Sequence, residues 1–212
     1  MSDTWPEIRA WRRAERERLI AHRVSFEPVR RRQLNAAITA HLVAGFEFGA
    51  GTTVAFCWPF KAEVDARFAV RVWRERGALA ALPAVIAKNA PLEFRAWRPG
   101  VAMTAGVYGI PVPAATARVV PDAAIVPMNG FDAQGFRLGY GGGYFDRTLD
   151  AIQPPPLAIG VACESVEMPT IRPQPHDVPM DFVVTEGGIY VARNAQLVRI
   201  RVTECQRRVQ EL

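Results

Sequence analysis

The sequence predicts an α/β fold: a mostly parallel sheet with helices on both faces, in three layers, and an N-terminal helical pair. Short apolar runs alternate with helical stretches after residue 45, as in βαβ units. Of the 212 residues, 50% are hydrophobic and 22% are charged, which supplies a core and excludes a disordered chain. At ~150 residues per domain, this length indicates a single domain, residues 1–212, on which basic helices within residues 1–45 pack.

Two helices are expected at the N-terminus. The first covers residues 6–22, and Arg12 lies nearest its apolar edge, where an arginine can point along the buried surface toward a cleft. Arg13 is expected in solvent. At about 100° per residue, one side of this helix carries its apolar residues, which are Ile8, Trp11 and Leu19. The second helix is expected at residues 28–44, with Gly45 past its end.

Strands and helices then alternate along the chain. Strands are expected at residues 52–58, 78–82, 92–97, 123–127, 157–161, 182–185 and 189–192, and helices at residues 65–76 and 144–152. Pro83 is expected to end the second of these strands, because proline has no N–H for the ladder. Ligands of parallel sheets bind beyond the carboxyl ends of the strands, so functional residues are expected in the loops that follow strands.

The charge is uneven along the chain. Lys plus Arg number 26 against 21 Asp plus Glu, a net charge of +5, and the basic excess lies at the two ends. Such segments form solvated helix faces, or they bind phosphate groups or nucleic acid. Neither end interleaves aromatic residues with its arginines as an RNA-binding surface does, so nucleic acid is not expected as a partner.

Several classes of protein are not expected. The three cysteines stand far apart, without the spacing of a zinc ribbon or of a dense disulfide framework, which fits a reducing compartment. The N-terminal segment lacks the apolar run of a signal peptide. The longest uncharged stretch, residues 99–117, is interrupted by prolines and glycines and is a poor membrane span. We expect a cytoplasmic monomer with no membrane contact.

The segment from residue 127 to residue 147 reads PMNGFDAQGFRLGYGGGYFDR and is the most informative part of the chain. It follows an expected strand and opens an expected helix at Tyr144. A glycine cluster in that position leaves backbone N–H groups free to bind an anion, and Arg137 can add a bidentate phosphate contact. The spacing fits neither a Walker A motif nor a GxGxxG dinucleotide motif. A tight glycine turn without a ligand is the alternative at this point.

Within this segment, FDxxGxRLGYGGGYFDR (residues 131–147) resembles the signature of the 5-formyltetrahydrofolate cyclo-ligase family, also called methenyltetrahydrofolate synthetases. Three other segments resemble the family: the basic stretch at residues 8–12, Trp58 with Glu-Val-Asp at residues 63–65, and HDVPMDFVVTE at residues 176–186. The resemblance spans nearly the whole chain. It implies an enzyme that uses MgATP to close N5-formyltetrahydrofolate into 5,10-methenyltetrahydrofolate, with release of ADP and phosphate.

The resemblance also implies roles for individual residues. The ATP phosphates would contact Arg9, Arg12, Arg137 and the loop Gly139, Tyr140, Gly141, Gly142 and Gly143. The folate substrate would contact Trp58, Glu63 and Tyr144, and the catalytic residues would be Arg137 and Tyr144. Asp146 and Asp181 resemble the carboxylates that hold Mg²⁺, since carboxylates, phosphate oxygens and water form a hard-ligand shell.

Each of the proposed acidic and aromatic residues also has a structural alternative. Asp146 suits the first turn of a helix, where the helix dipole stabilises a negative charge, and Asp181 suits an exposed loop. Glu63 suits a cap of the helix that follows it, and Trp58 suits the core. The sequence leaves these alternatives open.

Two positions depart from the family pattern. Ile8 stands where the family has a lysine, and Val112 stands where a glutamate is usual. These departures motivate a second hypothesis, a folate- or nucleotide-binding family member with little or no cyclo-ligase turnover. An RNA-binding module that uses the Arg-rich ends is a third hypothesis and ranks below the other two.

Overall fold

The computed structural model describes residues 4–211, so residues 1–3 and 212 of the expected domain lie outside it. The helices are α1 (Trp5–Val24), α2 (Pro28–Gly45), α3 (Arg67–Glu75), α4 (Tyr144–Ala151) and α5 (Val202–Gln210). The strands are β1 (Thr53–Phe56), β2 (Leu79–Ala84), β3 (Glu93–Trp97), β4 (Met103–Ala105), β5 (Pro111–Pro113), β6 (Arg118–Val119), β7 (Ala123–Pro127), β8 (Gly130–Asp132), β9 (Arg137–Leu138), β10 (Leu157–Val161), β11 (Glu167–Met168), β12 (Phe182–Thr185), β13 (Gly188–Arg193) and β14 (Gln196–Ile200). None of the helices within residues 4–211 combines the length and the apolar character that crossing a membrane requires.

The central sheet contains nine of these strands, in the order β14-β13-β12-β10-β7-β1-β2-β3-β6. The five inner strands, from β12 to β2, are parallel to one another. Antiparallel strands extend the sheet on both sides. The prediction of an α/β fold around a mostly parallel sheet is therefore confirmed.

Two groups of buried side chains lie against the central sheet. Val54 of β1 belongs to the first group, together with Leu42 of α2 and Trp73 of α3. Ala55, the next residue of β1, belongs to the second group, together with Leu19 of α1. Successive residues of a strand point to opposite faces of a sheet, so helices contribute to the packing on both faces.

Strand β2 runs through Pro83, so the expectation that this proline ends the strand is wrong. The pairing of β2 with β1 covers only Leu79, Ala80 and Ala81. Pro83 lies beyond that pairing and stands opposite Phe94 of β3. Proline is tolerated there because β1 no longer needs a backbone donor from β2 at that point.

The chain between β7 and α4 forms a hairpin that positions the glycine-rich segment. Strands β8 and β9 pair antiparallel, and the Gly135 N–H donates to the Asp132 carbonyl at 2.9 Å, which closes the expected turn. Leu138 then returns to the carboxyl end of β7, where its carbonyl accepts a hydrogen bond from the Asn129 N–H at 2.9 Å. Residues 139–143, which we call the glycine loop, therefore begin at the edge where a ligand is expected.

Candidate active site

Backbone carbonyls of the glycine loop accept hydrogen bonds from arginine side chains, whereas its backbone amides point to no acceptor within residues 4–211. None of the amides of residues 139–143 donates a hydrogen bond to another residue within residues 4–211. Gly141 (φ +88°) and Gly143 (φ +62°) adopt the left-handed conformation, and α4 begins directly after Gly143. Free amides in a loop of this kind, at the N-terminus of a helix, form a concave site for an anion.

Arg16 and Arg147 flank the glycine loop. Nε of Arg16 donates to the Gly139 carbonyl at 2.6 Å, and its Nη2 lies 3.0 Å from the position that a Cβ on Gly141 would take. Burial, together with the charge of nearby Arg12, lowers the pKa of Arg16. The Arg147 guanidinium donates to the Gly142 carbonyl, while its Nε is buried with no hydrogen-bond partner in the described part of the chain. A buried N–H of this kind indicates a bound water, ion or ligand.

Arg12 is buried, whereas Arg13 has a side chain 79% exposed, so both expectations for their burial are confirmed. The Arg12 guanidinium binds the loop at residues 171–177, however, and not the glycine loop. Its nitrogens donate to the carbonyls of Ile171 (3.0 Å) and Arg172 (2.8 Å) and to both carboxylate oxygens of Asp177 (2.5 and 3.2 Å). Every nitrogen of Arg12 thus has a protein acceptor. Arg9 is exposed on the same helix.

Arg137 and Asp146 form a buried ion pair beside this loop. Nη2 of Arg137 lies 2.9 Å from Oδ1 of Asp146, and its Nη1 donates to the Val178 carbonyl at 2.9 Å. The Val178 N–H donates to the same Oδ1 at 3.1 Å. Burial lowers the pKa of Arg137, and the negative charges of Asp146 and Asp177 oppose that shift. The fold therefore brings Asp146 into contact with the Arg137 guanidinium and places the charge of Asp177 near enough to act on it.

Asp181 has different neighbours. It directly precedes β12, and its Oδ2 accepts a hydrogen bond from the Ala158 N–H, at the start of β10, at 2.7 Å. Burial raises the pKa of Asp181. Its backbone thus lies at the amino ends of two parallel strands. Within residues 4–211, no group of three or more His, Cys, Asp or Glu side chains is arranged to hold a metal ion.

Glu63 is buried in a strained turn after β1. Its Oε2 accepts a hydrogen bond from the Phe60 N–H at 2.9 Å, and its own N–H donates to the Phe60 carbonyl at 3.1 Å. Between them, Lys61 (φ 47°) and Ala62 (φ 59°) are both left-handed, a conformation that concentrates at functional sites. Burial raises the pKa of Glu63. Glu63 does not cap α3, because the Arg67 N–H at the start of α3 donates to Oδ1 of Asp65 at 3.1 Å.

Tyr140 connects Glu63 with the glycine loop. Its hydroxyl accepts a hydrogen bond from Nη2 of Arg23 at 3.1 Å and lies near enough to the carboxylate of Glu63 for each group to act on the other's pKa. The buried Arg23 also donates to the Lys61 carbonyl and to Oδ1 of Asn129, each at 3.0 Å. The glycine loop, the turn after β1 and the end of β7 therefore meet at one guanidinium.

A family model of 5-formyltetrahydrofolate cyclo-ligases matches residues 8–186, a span that contains the glycine loop, Glu63, Asp146 and Asp177. The chain belongs to the 5-formyltetrahydrofolate cyclo-ligase family. It is accordingly an enzyme of the ligase class, and the resemblance of the glycine-rich motif is confirmed. The cyclo-ligase of Mycolicibacterium smegmatis is 32% identical over 154 residues, which cover 68% of this chain and 78% of the relative. The cyclo-ligase of Haemophilus influenzae is 27% identical over 169 residues, which cover 74% and 88%.

Solved structures agree with this membership. The NMR structure of the 5,10-methenyltetrahydrofolate synthetase of Aquifex aeolicus superposes with a TM-score of 0.73 at 26% identity, over 90% of this chain and 97% of that one. The synthetase of Mycoplasma pneumoniae superposes with a TM-score of 0.66 over 82% and 98%, and at 22% identity it supports the fold alone.

The structure also shows the contacts or burial of three other positions in the cyclo-ligase motifs. Trp58 is half-buried, packs against the core beside Trp97 and carries the Arg67 guanidinium 4.6 Å above its ring, which are the contacts of the structural alternative. Tyr144 stands at the glycine loop, with its ring against Gly142. Ile8, in the place of the family lysine, is buried and apolar.

Three residues of the site were missed as site residues by sequence reasoning: Arg16, Arg23 and Asp177. Both arginines lie on the face of α1 that carries Arg12, because steps of four and eleven residues return close to the same side of a helix. Leu19 is buried on that face as well. Extending the apolar stripe to these positions would have found the arginines, and Asp177 lies within the C-terminal family motif.

Proposed function

We propose that this cyclo-ligase converts 5-formyltetrahydrofolate into 5,10-methenyltetrahydrofolate with MgATP as co-substrate, releasing ADP and phosphate. The observation that carries the proposal is that Arg23 joins the turn of the buried Glu63 carboxylate to Tyr140 of a loop of free amides, by hydrogen bonds to the Lys61 carbonyl and the Tyr140 hydroxyl. Such an arrangement suits two ligands bound side by side, one an anion and one a hydrogen-bond donor. The names of the matched relatives give no support to a binding protein without turnover.

The glycine loop is our candidate for the phosphate groups of ATP. Phosphoryl transfer needs positioned donors and neutralised charge more than covalent help from the protein. The free amides of residues 139–143 supply donors, and the side chains of Arg16 and Arg147 supply positive charge at the backbone of the loop. We infer from the two buried groups a three-layer arrangement in which the N-terminal helical pair serves the site, since α1 delivers Arg16. In this proposal Arg12 and the exposed Arg9 reach phosphate only after a side-chain movement.

Glu63 is our candidate for recognition of the pterin ring. An ionised carboxylate accepts two hydrogen bonds and can bind the ring amino group and an adjacent ring N–H together. Its turn lies after β1, at the carboxyl edge of the parallel strands. Tyr144, at the glycine loop, would line the folate between Glu63 and the phosphates, whereas Trp58 would support the pocket from the core side.

The carboxylates present fit a magnesium ion. The ion pair with Arg137 and the hydrogen bond from Val178 both fall on Oδ1 of Asp146, so Oδ2 is available as a hard oxygen ligand. Mg²⁺ is commonly held by one or two carboxylates together with the phosphates of its substrate. We propose Asp146 as one ligand, with the second carboxylate to be decided between Asp177 and the expected Asp181. When bound, the ion would neutralise charge on the phosphate oxygens.

The reaction balances without a further co-reactant. The formyl oxygen attacks the terminal phosphorus of ATP, ADP leaves, and the oxygen becomes a phosphate ester. N10 then attacks the former formyl carbon and loses its proton, and phosphate leaves from that carbon and takes up that proton. The amides and arginines would hold the phosphoryl group, and Glu63 would orient the ring. Arg137, proposed from the motif as catalytic, is buried against Asp146, so we assign it a positioning role.

The test is an assay of purified protein with 5-formyltetrahydrofolate and MgATP. We expect the absorbance of the methenyl product to rise only when ATP is present, with one ADP formed for each product molecule. Tight folate binding without product would favour the alternative of a binding protein. Salt-sensitive RNA affinity without folate binding would favour the third hypothesis.

Substitution of the carboxylates tests the metal assignment. We expect Asp146→Asn to raise the free Mg²⁺ concentration needed for half-maximal activity by about tenfold or more, because a carboxylate ligand is lost at constant size. Asp177→Asn and Asp181→Asn are the matched pair, and the one that shifts the same Mg²⁺ titration identifies the second ligand. An unchanged titration in Asp146→Asn would overturn the assignment of that residue.

A further inference from the structure

Arg23 is a buried arginine whose partners are neutral. It is 4% exposed, and its guanidinium donates to the carbonyls of Lys61 and Met128, to Oδ1 of Asn129 and to the hydroxyl of Tyr140. No carboxylate within residues 4–211 forms a salt bridge with it. A buried charge is costly unless it is compensated, so a negative group is expected close to Arg23.

That negative group is Glu63, and the Tyr140 hydroxyl stands between the two. The positive charge of Arg23 acts on the Glu63 carboxyl, and the Tyr140 hydroxyl, bound by Arg23, also acts on it. Burial raises the pKa of Tyr140, so the hydroxyl keeps its proton. Because that hydroxyl accepts its hydrogen bond from Arg23, its own proton is free to be donated to the carboxylate. Charge, hydroxyl and carboxylate thus form a polarised chain.

We propose that Arg23 is a positioning residue of the folate site: it fixes the Tyr140 hydroxyl, which in turn keeps the Glu63 carboxylate ionised and oriented for the pterin. This inference rests on the proposed function of Glu63. The same guanidinium also fixes the position of the glycine loop relative to the turn after β1, since Tyr140 belongs to that loop and Lys61 belongs to that turn.

The physical need for this arrangement follows from the surroundings of Glu63. Burial favours the protonated carboxyl, which would donate where the pterin also donates, so folate binding requires the ionised form. Arg23 and Tyr140 both oppose the effect of burial on the pKa. Other titratable or charged groups face or adjoin Glu63: Arg31 of α2, Cys57 after β1, Lys61 in its own turn and Cys163 after β10. Of these, only Lys61 and Arg31 add positive charge, and Lys61 is exposed, with Nζ over the ring of Phe60.

The pH dependence of kcat/KM for 5-formyltetrahydrofolate tests the proposal. We expect Tyr140→Phe and Arg23→Met to move the acid limb of the profile to higher pH, by about one unit for Arg23→Met, which is a tenfold change in the ionisation constant. Arg23→Lys retains the charge and should restore most of the limb position, although its ammonium lacks the planar guanidinium that binds four acceptors. A role confined to folding would lower kcat/KM equally at every pH.

Arg13→Met is the matched control, because Arg13 lies on the same helix with an exposed side chain paired to Glu17. We expect it to leave the profile unchanged. Arg23→Met removes a buried charge and can fail to fold, in which case Tyr140→Phe, at a residue 44% exposed, carries the test. An acid limb that does not move in Tyr140→Phe overturns the proposal.

A second readout separates this proposal from the proposed function. The carboxyl carbon of Glu63, labelled with ¹³C and identified by its loss in Glu63→Gln, reports ionisation without substrate. We expect its titration midpoint to rise in Tyr140→Phe, and an unchanged midpoint would refute the proposed effect of Tyr140 on Glu63. If the midpoint rises while the wild-type protein forms no methenyl product, that effect is supported and the proposed activity fails.

Discussion

At the scale of single residues, the glycine loop depends on three glycines for two different reasons. Gly141 and Gly143 are left-handed, a conformation that L side chains rarely adopt. Gly142 needs space, because a Cβ there would lie 2.8 Å from the ring of Tyr144. Gly139, in contrast, has no atom within 4 Å of its Cβ position. Gly139 can therefore be substituted with little strain in the loop.

Gly142→Ala is expected to weaken ATP binding. The added methyl group must displace the ring of Tyr144 or shift the amides next to it, and we expect the KM for ATP to rise about tenfold, equivalent to ~1.4 kcal/mol. Gly139→Ala is the comparison within the loop and should cause the smaller loss. Steady-state kinetics with varied ATP provides the measurement, and equal effects of the two substitutions would contradict this account of the loop.

At the scale of elements, α1 carries the arginines of the site. Arg12, Arg16 and Arg23 lie on its buried face, and their partners are the 171–177 loop, the glycine loop and Tyr140. Leu19 anchors the same face, close to Gly130 of β8, where a Cβ would lie 2.8 Å from its Cδ1. One amphipathic helix therefore sets the relative positions of several loops, and its attachment to the 171–177 loop depends on Arg12 and Asp177.

The attachment of α1 is expected to weaken in acid. Burial alone would raise the pKa of Asp177, but hydrogen bonds from Arg12 and from the Gln174 N–H outweigh it and hold the pKa below its ordinary value. A lowered folded-state pKa gives stability that is complete above about pH 4 and is lost as the pH falls through the folded-state value. Asp177→Asn should remove this pH-dependent part, about 1–2 kcal/mol.

Urea unfolding at a series of pH values from neutral down to pH 3 measures this contribution. The wild-type free energy of unfolding should fall more steeply below pH 4 than that of Asp177→Asn. Parallel curves for the two proteins would show that the ion pair of Arg12 and Asp177 contributes no pH-dependent stability. Asp150→Asn, at an exposed residue of α4, is the control and should follow the wild-type curve.

At the scale of the whole molecule, the site and the larger core occupy different parts of the fold. The buried group that contains Trp73 packs α2, α3 and α5 against one face of the sheet. The arginines of α1, the glycine loop and α4 belong to the other side and to the carboxyl edge. Stability and substrate binding should therefore separate when the core is altered far from the loop.

Trp73→Phe is expected to lower stability and to leave both KM values unchanged. Trp73 is fully buried, and its Nε1 donates to the Phe46 carbonyl at 2.8 Å. The loss of this donor and of part of the ring volume should reduce the free energy of unfolding by about 2–3 kcal/mol and Tm by roughly 4–12 °C. Phe68→Leu, at a half-exposed position of α3, is the control. Thermal unfolding and steady-state kinetics on the same samples check both parts.

Much of the fold was predictable from local patterns. The structure contains the expected helices at both N-terminal positions and the expected parallel strands, with ends that differ by a few residues. Strands β4, β5, β6, β8, β9 and β11 were not predicted, because two or three residues are too few to show a period. Strand β14 and helix α5 were also missed, since the basic composition of that end hid a short apolar pattern around the buried Cys205.

The amino-acid sequence by itself determined the α/β class, the glycine loop and membership of the cyclo-ligase family, because periodicity, glycine content and motif are properties of neighbouring residues. Only the tertiary structure decided which side chains share a site. Arg12 and Asp177 are 165 positions apart, and Arg23 and Tyr140 are 117 apart. Their pairing depends on how α1 packs over the sheet, and burial in that packing is what turns a solvated arginine into one that binds a particular loop.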